Sequence, residues 1–184
     1  RDRLRSRGLG DVYKRQGGIW MKIKGIDRVD LPTIFVVGKE GHGLAEDGQS
    51  WVTLLWDQMN THFEELVDLL AGQEMKDLQL WGLMSDAEHW LEPWQNEGRY
   101  LAGVQVPEKA QAPEGWIRWE IPPMSYLTVK ASAEKIEEAT NLMLGEIFPM
   151  ENLKLAGAIH EHYLPHFAEG EVELYFPFKT KEKN

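Results

Sequence analysis

Hydrophobic positions along the chain recur in two spacings, every second residue and every third to fourth, and their order predicts the elements. Within DRVDLPTIFVVGKEGHG, residues 33–37 form a β-rich run that follows Pro32 and is closed by glycines, so a first strand is expected there. Residues 47–50 offer polar cap candidates, and apolar residues then recur at 51, 52, 55, 56, 59, 63, 66, 67 and 70. That spacing is helical, with Gly72 placed as its stop. Residues 78–84 make a short apolar strand, and residues 85–98 a polar connection carrying Trp90 and Trp94. Residues 99–106 alternate, with Tyr100, Ala102, Val104 and Val106 on one side of a strand.

Residues 109–115 are polar and hold Pro113, which points to a link between halves. Residues 116–131 are β-rich but broken by Pro122 and Pro123, which cannot donate ladder hydrogen bonds. A bend, or a place at a sheet edge, is expected there. Ser132 is placed as the N-cap of a helix over 132–148, with Lys135, Glu137 and Glu138 on its wet side. Two more strands, of about 8 residues each, are read in LKLAGAIHEHYLPHFAEGEVELYFPF at 153–178.

The order is strand, helix, strand, strand, and then the same again. It predicts an α+β fold, a duplicated βαββ with two pseudo-symmetric halves, mostly antiparallel sheets and a central ligand groove lined by both. The domain is expected over residues 21–178, its halves at about 21–108 and 115–178, and residues 179–184 as a charged, frayed tail. Residues 1–20 share neither composition nor period with the rest, and DVYKRQ resembles a translated sequencing-adapter remnant. They are expected to be a non-native or disordered leader, with Met21 as the native start.

Composition narrows the partners. The formal charge is −10, with 20 Lys/Arg against 30 Asp/Glu. Six of the basic and two of the acidic residues lie in residues 1–20, leaving 14 against 28, or −14, for the body. A body so acidic argues against direct nucleic-acid binding and favours cationic ligands. Cysteine is absent, which excludes disulfides, thiol nucleophiles and thiolate metal sites and fits a reducing cytoplasm. No apolar run approaches the roughly 18 residues of a membrane span. No cofactor is expected, since the glycines around 38–48 lack a phosphate-loop Lys-Ser/Thr and no Ser/His/Asp set stands out.

The last two strands carry the candidate chemistry. Glu161 and Tyr163 share one face of the first, and in the second Val172, Leu174, Phe176 and Phe178 share a face opposite Glu173 and Tyr175. A carboxylate among aromatic rings is a receptor for a flat or amphiphilic cation, because charge and ring faces attract it together. His160, His162 and His166 flank Glu161, but an extended strand turns His160 and His162 to the other face, so no metal site is expected. Eight tryptophans favour an aromatic cavity, with Trp90, Trp94 and Trp119 beside Tyr100, Tyr126 and Tyr175 as candidate walls. Trp51 and Trp56 lie about 140° apart around the first helix and need not share a face.

RYLAGVQVP at 99–107, GWIRWEIPPMSYLTVKAS at 115–132 and AGAIHEHYLPHF at 156–167 followed by VELYFPF, in this order of elements, resemble the gyrase-inhibitor-like (GyrI-like) effector-binding domain. The domain also serves as the C-terminal sensor of AraC-type and MerR-type bacterial transcription regulators. The resemblance covers about residues 21–178 and implies a groove that takes hydrophobic, often cationic compounds, as in multidrug binding. It implies Glu161 as the charge partner, with Tyr163 beside it. Unlike the regulators, the sequence shows no helix-turn-helix, so direct DNA binding is not expected, and whether a separate partner reads DNA stays open.

The function expected is therefore non-covalent binding of a hydrophobic cation at Glu161, enclosed by Tyr163, Tyr175, Tyr100, Tyr126, Trp90, Trp94 and Trp119. Two alternatives remain open. The family resemblance allows a hydrolase that opens strained rings in genotoxic compounds, with Glu161 activating water and Tyr163 assisting. It also allows a protein-interaction module whose partner is a regulator or a gyrase-like protein.

Overall fold

The computed structural model describes residues 25–165, 167 and 170–182. The expected leader at 1–20 lies outside them, as do His166, Lys183 and Asn184. Strands β1 (Ile26–Leu31), β2 (Ile34–Leu44), β3 (Leu80–Asp86), β4 (Glu97–Val106), β5 (Ile117–Ile121), β6 (Met124–Ser132), β7 (Leu153–Leu155), β8 (His160–Tyr163) and β9 (Glu171–Thr180) all pair antiparallel. Helix α1 is Gly48–Thr61 and helix α2 is Ile136–Leu142. The sheet runs β1-β6-β9-β8-β3-β4-β2-β5, with β7 added to the end of β9. The α+β class, the antiparallel sheet and the two helices are as the patterning predicts.

Pairing follows one rule in each unit. In β2-α1-β3-β4 the third strand lies between the first and second, and β6-α2-β8-β9 repeats that order. The units meet where β3 pairs with β8. The sequence boundary between halves needs correction, however. β5 follows the expected linker yet pairs with β2 of the first unit, and β1 precedes the first unit yet pairs with β6 of the second. The chain passes between units at Pro32-Thr33 and at Pro122-Pro123.

Those two-residue links shape the sheet. Six strand steps separate β1 from β2, and six separate β5 from β6, about 29 Å if the sheet were flat. Three residue steps reach at most about 11 Å. The sheet therefore curls until its two ends meet. Its concave face closes on Ile34, Val36, Trp81, Leu83, Leu101, Trp119, Ile121, Tyr126 and Tyr175, one buried cluster contributed by strands from both ends. The convex face carries the helices.

Each helix buries a stripe. On α1, Leu55 and Met59 stand one turn apart and pack with Val37, Tyr100, Ala102 and Val104. The expected helix over 51–70 is two elements. After Thr61 the chain tightens into a 3-10 segment, Phe63–Leu70, which buries Leu66 and Leu70 and ends in left-handed Ala71 and Gly72. The expected helix over 132–148 is likewise composite. A 3-10 turn (Ala133–Lys135), α2 and a π turn (Met143–Ile147) lead to Phe148, and Ser132 makes no capping hydrogen bond. Met143, Ile147 and Phe148 pack on Ile26, Leu127, Val129, Leu174 and Phe176. Lys179 and Thr180, expected in a frayed tail, close β9 against Lys154 and Leu153. Among the described residues, no helix is long and apolar enough to cross a membrane.

Candidate functional site

β8 sets the site because it joins the two units. Its residues alternate as the sequence predicts, Glu161 and Tyr163 on one face, His160 and His162 on the other. Register across the sheet then decides their neighbours. Glu161 stands opposite Gly82 of β3 and Leu174 of β9, so one row across the convex face reads Ile26, Val129, Leu174, Glu161, Gly82, Ala102. Glu161 is the acid in an otherwise apolar row, between the cores under α1 and α2.

Three aromatic side chains close around it. Tyr100, 1% exposed, donates its hydroxyl to Glu161 Oε1 at 2.5 Å, and Tyr163 donates to the same oxygen at 3.1 Å. Trp56 of α1 donates its Nε1–H to the Tyr100 oxygen at 3.0 Å. An indole N–H only donates, so the single Tyr100 proton is directed at the carboxylate. The Trp56 ring meets Tyr163 edge-on at 5.3 Å and Tyr100 at 6.5 Å. Tyr163 and Ile159 pack on the α2 core, while Tyr100 and Trp56 belong to the α1 core. Glu161 is half-buried, and Oε2 has no partner among the described residues.

Burial raises the Glu161 pKa, and the two phenol donors pull it back by favouring the charged form. Burial, and then the neighbouring carboxylate, pushes Tyr100 well above the usual phenol range and raises Tyr163 likewise, so both hydroxyls stay protonated donors. A contact of 2.5 Å falls in the range of about 2.5–2.7 Å for an O–H donating to a charged oxygen. Together the groups offer an anionic oxygen in a part-apolar, ring-walled setting.

Gly82 makes the arrangement possible. A Cβ there would lie 1.8 Å from the Tyr100 hydroxyl and 2.8 Å from Glu161 Oε1. Gly82 and Trp56 were not among the expected site residues. Gly82 had a signal, a glycine inside the apolar strand LWGLM, where such a residue marks close approach of other groups. Trp56 had its helical position and nothing to say which strand it would meet.

The other expected residues lie elsewhere. Tyr175 stands opposite His160 and Thr128, and Tyr126 opposite Pro177, which places both on the concave face, their rings 5.3 Å apart. Burial pushes Tyr126 up to about 12; burial and then Glu173 raise Tyr175. Trp119 is buried in the same concave cluster and donates to Glu40 at 2.7 Å. Trp90 is 50% exposed and meets Trp119 edge-on at 4.7 Å. Trp94 stacks on Trp51 at 5.2 Å and fills the space over Gly48 and Gly98. The expectation of one cavity shared by all eight residues is therefore corrected: Glu161, Tyr163 and Tyr100 come together with Trp56, and the other five do not join them. An inward-facing Tyr175 follows from Glu161 pairing with Leu174 rather than with an odd-numbered neighbour.

The histidines have structural partners. His160 Nδ1 accepts the Met84 N–H at 3.2 Å, and burial pushes its pKa down to about 4. His162 lies between Glu173 Oε1 at 2.9 Å and Gln79 Oε1 at 2.7 Å and stacks on Trp81. Neither ring nitrogen set converges with Glu161. Among the described residues, His62, Glu64 and Glu65 have ligand atoms within 4.8 Å of one another, but all three are exposed, as acidic groups without an ion often are.

The chain is 26% identical over 157 residues to the transcriptional regulator BrlR of Pseudomonas aeruginosa, a match covering 81% of this chain and 53% of that protein. It thus spans about half the length of this relative. The fold is shared with SAV2435, solved bound to tetraphenylphosphonium, at a TM-score of 0.61 and 12% identity, covering 84% of this chain and 93% of that one. It is shared with the C-terminal domain of EcmrR at a TM-score of 0.58 and 16% identity, covering 84% and 97%. At these identities the likeness is one of fold. Residues 11–179 match the GyrI-like small molecule binding domain, and the protein belongs to that family.

Proposed function

We propose that the protein binds a hydrophobic cation non-covalently at Glu161, in the seam between the α1 and α2 cores. The observation that carries this reading is the half-buried Glu161 carboxylate, held by two phenol hydroxyls on one oxygen and walled by Trp56, Tyr100 and Tyr163. A carboxylate in a part-apolar site needs a counter-charge, and ring faces add attraction for a cation that a neutral body does not receive. The tetraphenylphosphonium bound by SAV2435 is a molecule of that kind, and the regulator BrlR suggests effector sensing as the context.

Catalysis is the second reading, because burial raises the Glu161 pKa toward that of a general base. Two hydroxyl donors on Oε1 work against it, since they stabilise the ionised form and lower its basicity. The binder is favoured on that ground. Glu161→Gln is expected to weaken a cationic aromatic dye by about tenfold or more while changing a neutral analogue of the same shape little. Equal losses for both would reject the counter-charge role. A strained cyclopropane compound recovered unchanged after incubation supports binding, and a hydrated product supports the hydrolase.

A further inference from the structure

We propose that the Glu161 site selects a cation with a single N–H donor, a tertiary ammonium on an apolar aromatic body, over a fully alkylated cation or a forked amidinium. The inference rests on the reading of Glu161 as counter-charge. Its basis is the uneven occupation of the carboxylate. One carboxylate oxygen offers about two lone-pair directions. On Oε1 both are taken, by Tyr100 at 2.5 Å and Tyr163 at 3.1 Å.

The first of these bonds is locked from behind. Trp56 Nε1–H occupies the Tyr100 oxygen at 3.0 Å, and Tyr100 is 1% exposed, so its hydroxyl has no water to turn to. Displacing it would strand a buried polar group. The oxygen left to a ligand is Oε2.

Ligand chemistry follows from that count. An amidinium or guanidinium binds a carboxylate through two parallel N–H bonds and needs both oxygens together. Here it must break a phenol bond or forgo its second contact. A quaternary cation has no N–H and gains only the field and the ring faces. A tertiary ammonium directs its one N–H at Oε2 and lays its apolar body against Trp56 and Tyr163. The two tyrosines thereby act as positioning residues for ligand class as well as walls.

The test uses one aromatic scaffold carrying a dimethylammonium, a trimethylammonium or an amidinium group, titrated by calorimetry at about pH 8, where an alkylamine is still protonated and a carboxylate ionised. The dimethylammonium is expected to bind about tenfold or more tighter than either rival, the gain of one charge-assisted hydrogen bond. Tyr163→Phe frees one direction on Oε1, and there the amidinium is expected to gain about tenfold relative to the dimethylammonium. Tyr100→Phe is the second variant, with the same direction expected, should Tyr163→Phe fold poorly. An amidinium that binds the parent tightest, three equal affinities in the parent, or an amidinium-to-dimethylammonium affinity ratio unchanged in both variants overturns the inference and leaves the counter-charge reading standing. If none of the three binds, the counter-charge reading falls and this inference with it.

Discussion

Gly82→Ala adds one methyl group at the point where the site has least room. The new Cβ would lie 1.8 Å from the Tyr100 hydroxyl, 2.6 Å from its Cζ and 2.8 Å from Glu161 Oε1. Tyr100 is buried and tied to Trp56, so it has no free end to swing aside. Overpacking of this kind costs about 1–3 kcal/mol, and a lost charge-assisted hydrogen bond costs about as much again. The terms overlap, so about 2–4 kcal/mol is expected in total. For a chain of this length that lowers Tm by about 5–15 °C, read by calorimetric or fluorescence melting. Cation affinity is expected to fall at least about tenfold in the same variant. Gly145→Ala is the control, because a Cβ there meets nothing within 4 Å and the residue sits in the helical Met143–Ile147 turn. It is expected to be neutral or to stabilise by up to about 1 kcal/mol. A Gly82→Ala protein that melts like the parent and still binds the cation would refute the packing of Tyr100 and Glu161 against β3.

Acid should destabilise the fold through His160. Its pKa is lowered from 6.5 to about 4 by burial, so the stability that the neutral ring contributes is present above about pH 6.5 and is lost as pH falls toward about 4. The effect amounts to about 3 kcal/mol, and His160→Gln should flatten that limb of a urea-midpoint profile. Glu161 acts in the opposite sense. Its raised pKa means that the unliganded fold loses stability as pH rises through the folded value, so Glu161→Gln should remove that loss, while cation affinity in the parent should fall as acid neutralises the carboxylate. Asp86 holds the loop that follows β3 by accepting the N–H groups of Glu88, His89 and Gln95. Asp86→Ala should therefore speed amide exchange at those three positions and leave β8 protected; unchanged exchange would show that the loop holds without it.

What the sequence made legible was parity along single strands. The alternation HEHY put Glu161 and Tyr163 on one face of β8 and the histidines on the other, which is where they lie. Pairing register was not legible, since nothing in VELYF says that Leu174 rather than Tyr175 will sit beside Glu161. That single choice moved Tyr175 and Tyr126 to the concave face. Pro122 and Pro123 announced a break, but a chain that leaves one edge of the sheet and enters near the other depends on six strand steps of curl. For the same reason β1 went unread: its partner β6 lies about 100 residues downstream. Trp56 shows the same limit in a helix, where its angle followed from spacing and its contact with Tyr100 from the packing of α1 on β4.

A crystal structure of the protein with a bound aromatic ammonium tests the central claim most directly. The expected result places the charged nitrogen within about 4 Å of Glu161, on the Oε2 side, with the body against Trp56 and Tyr163. A ligand seated instead beside Trp90 and Trp119 at the concave face, with Glu161 untouched, would contradict the account.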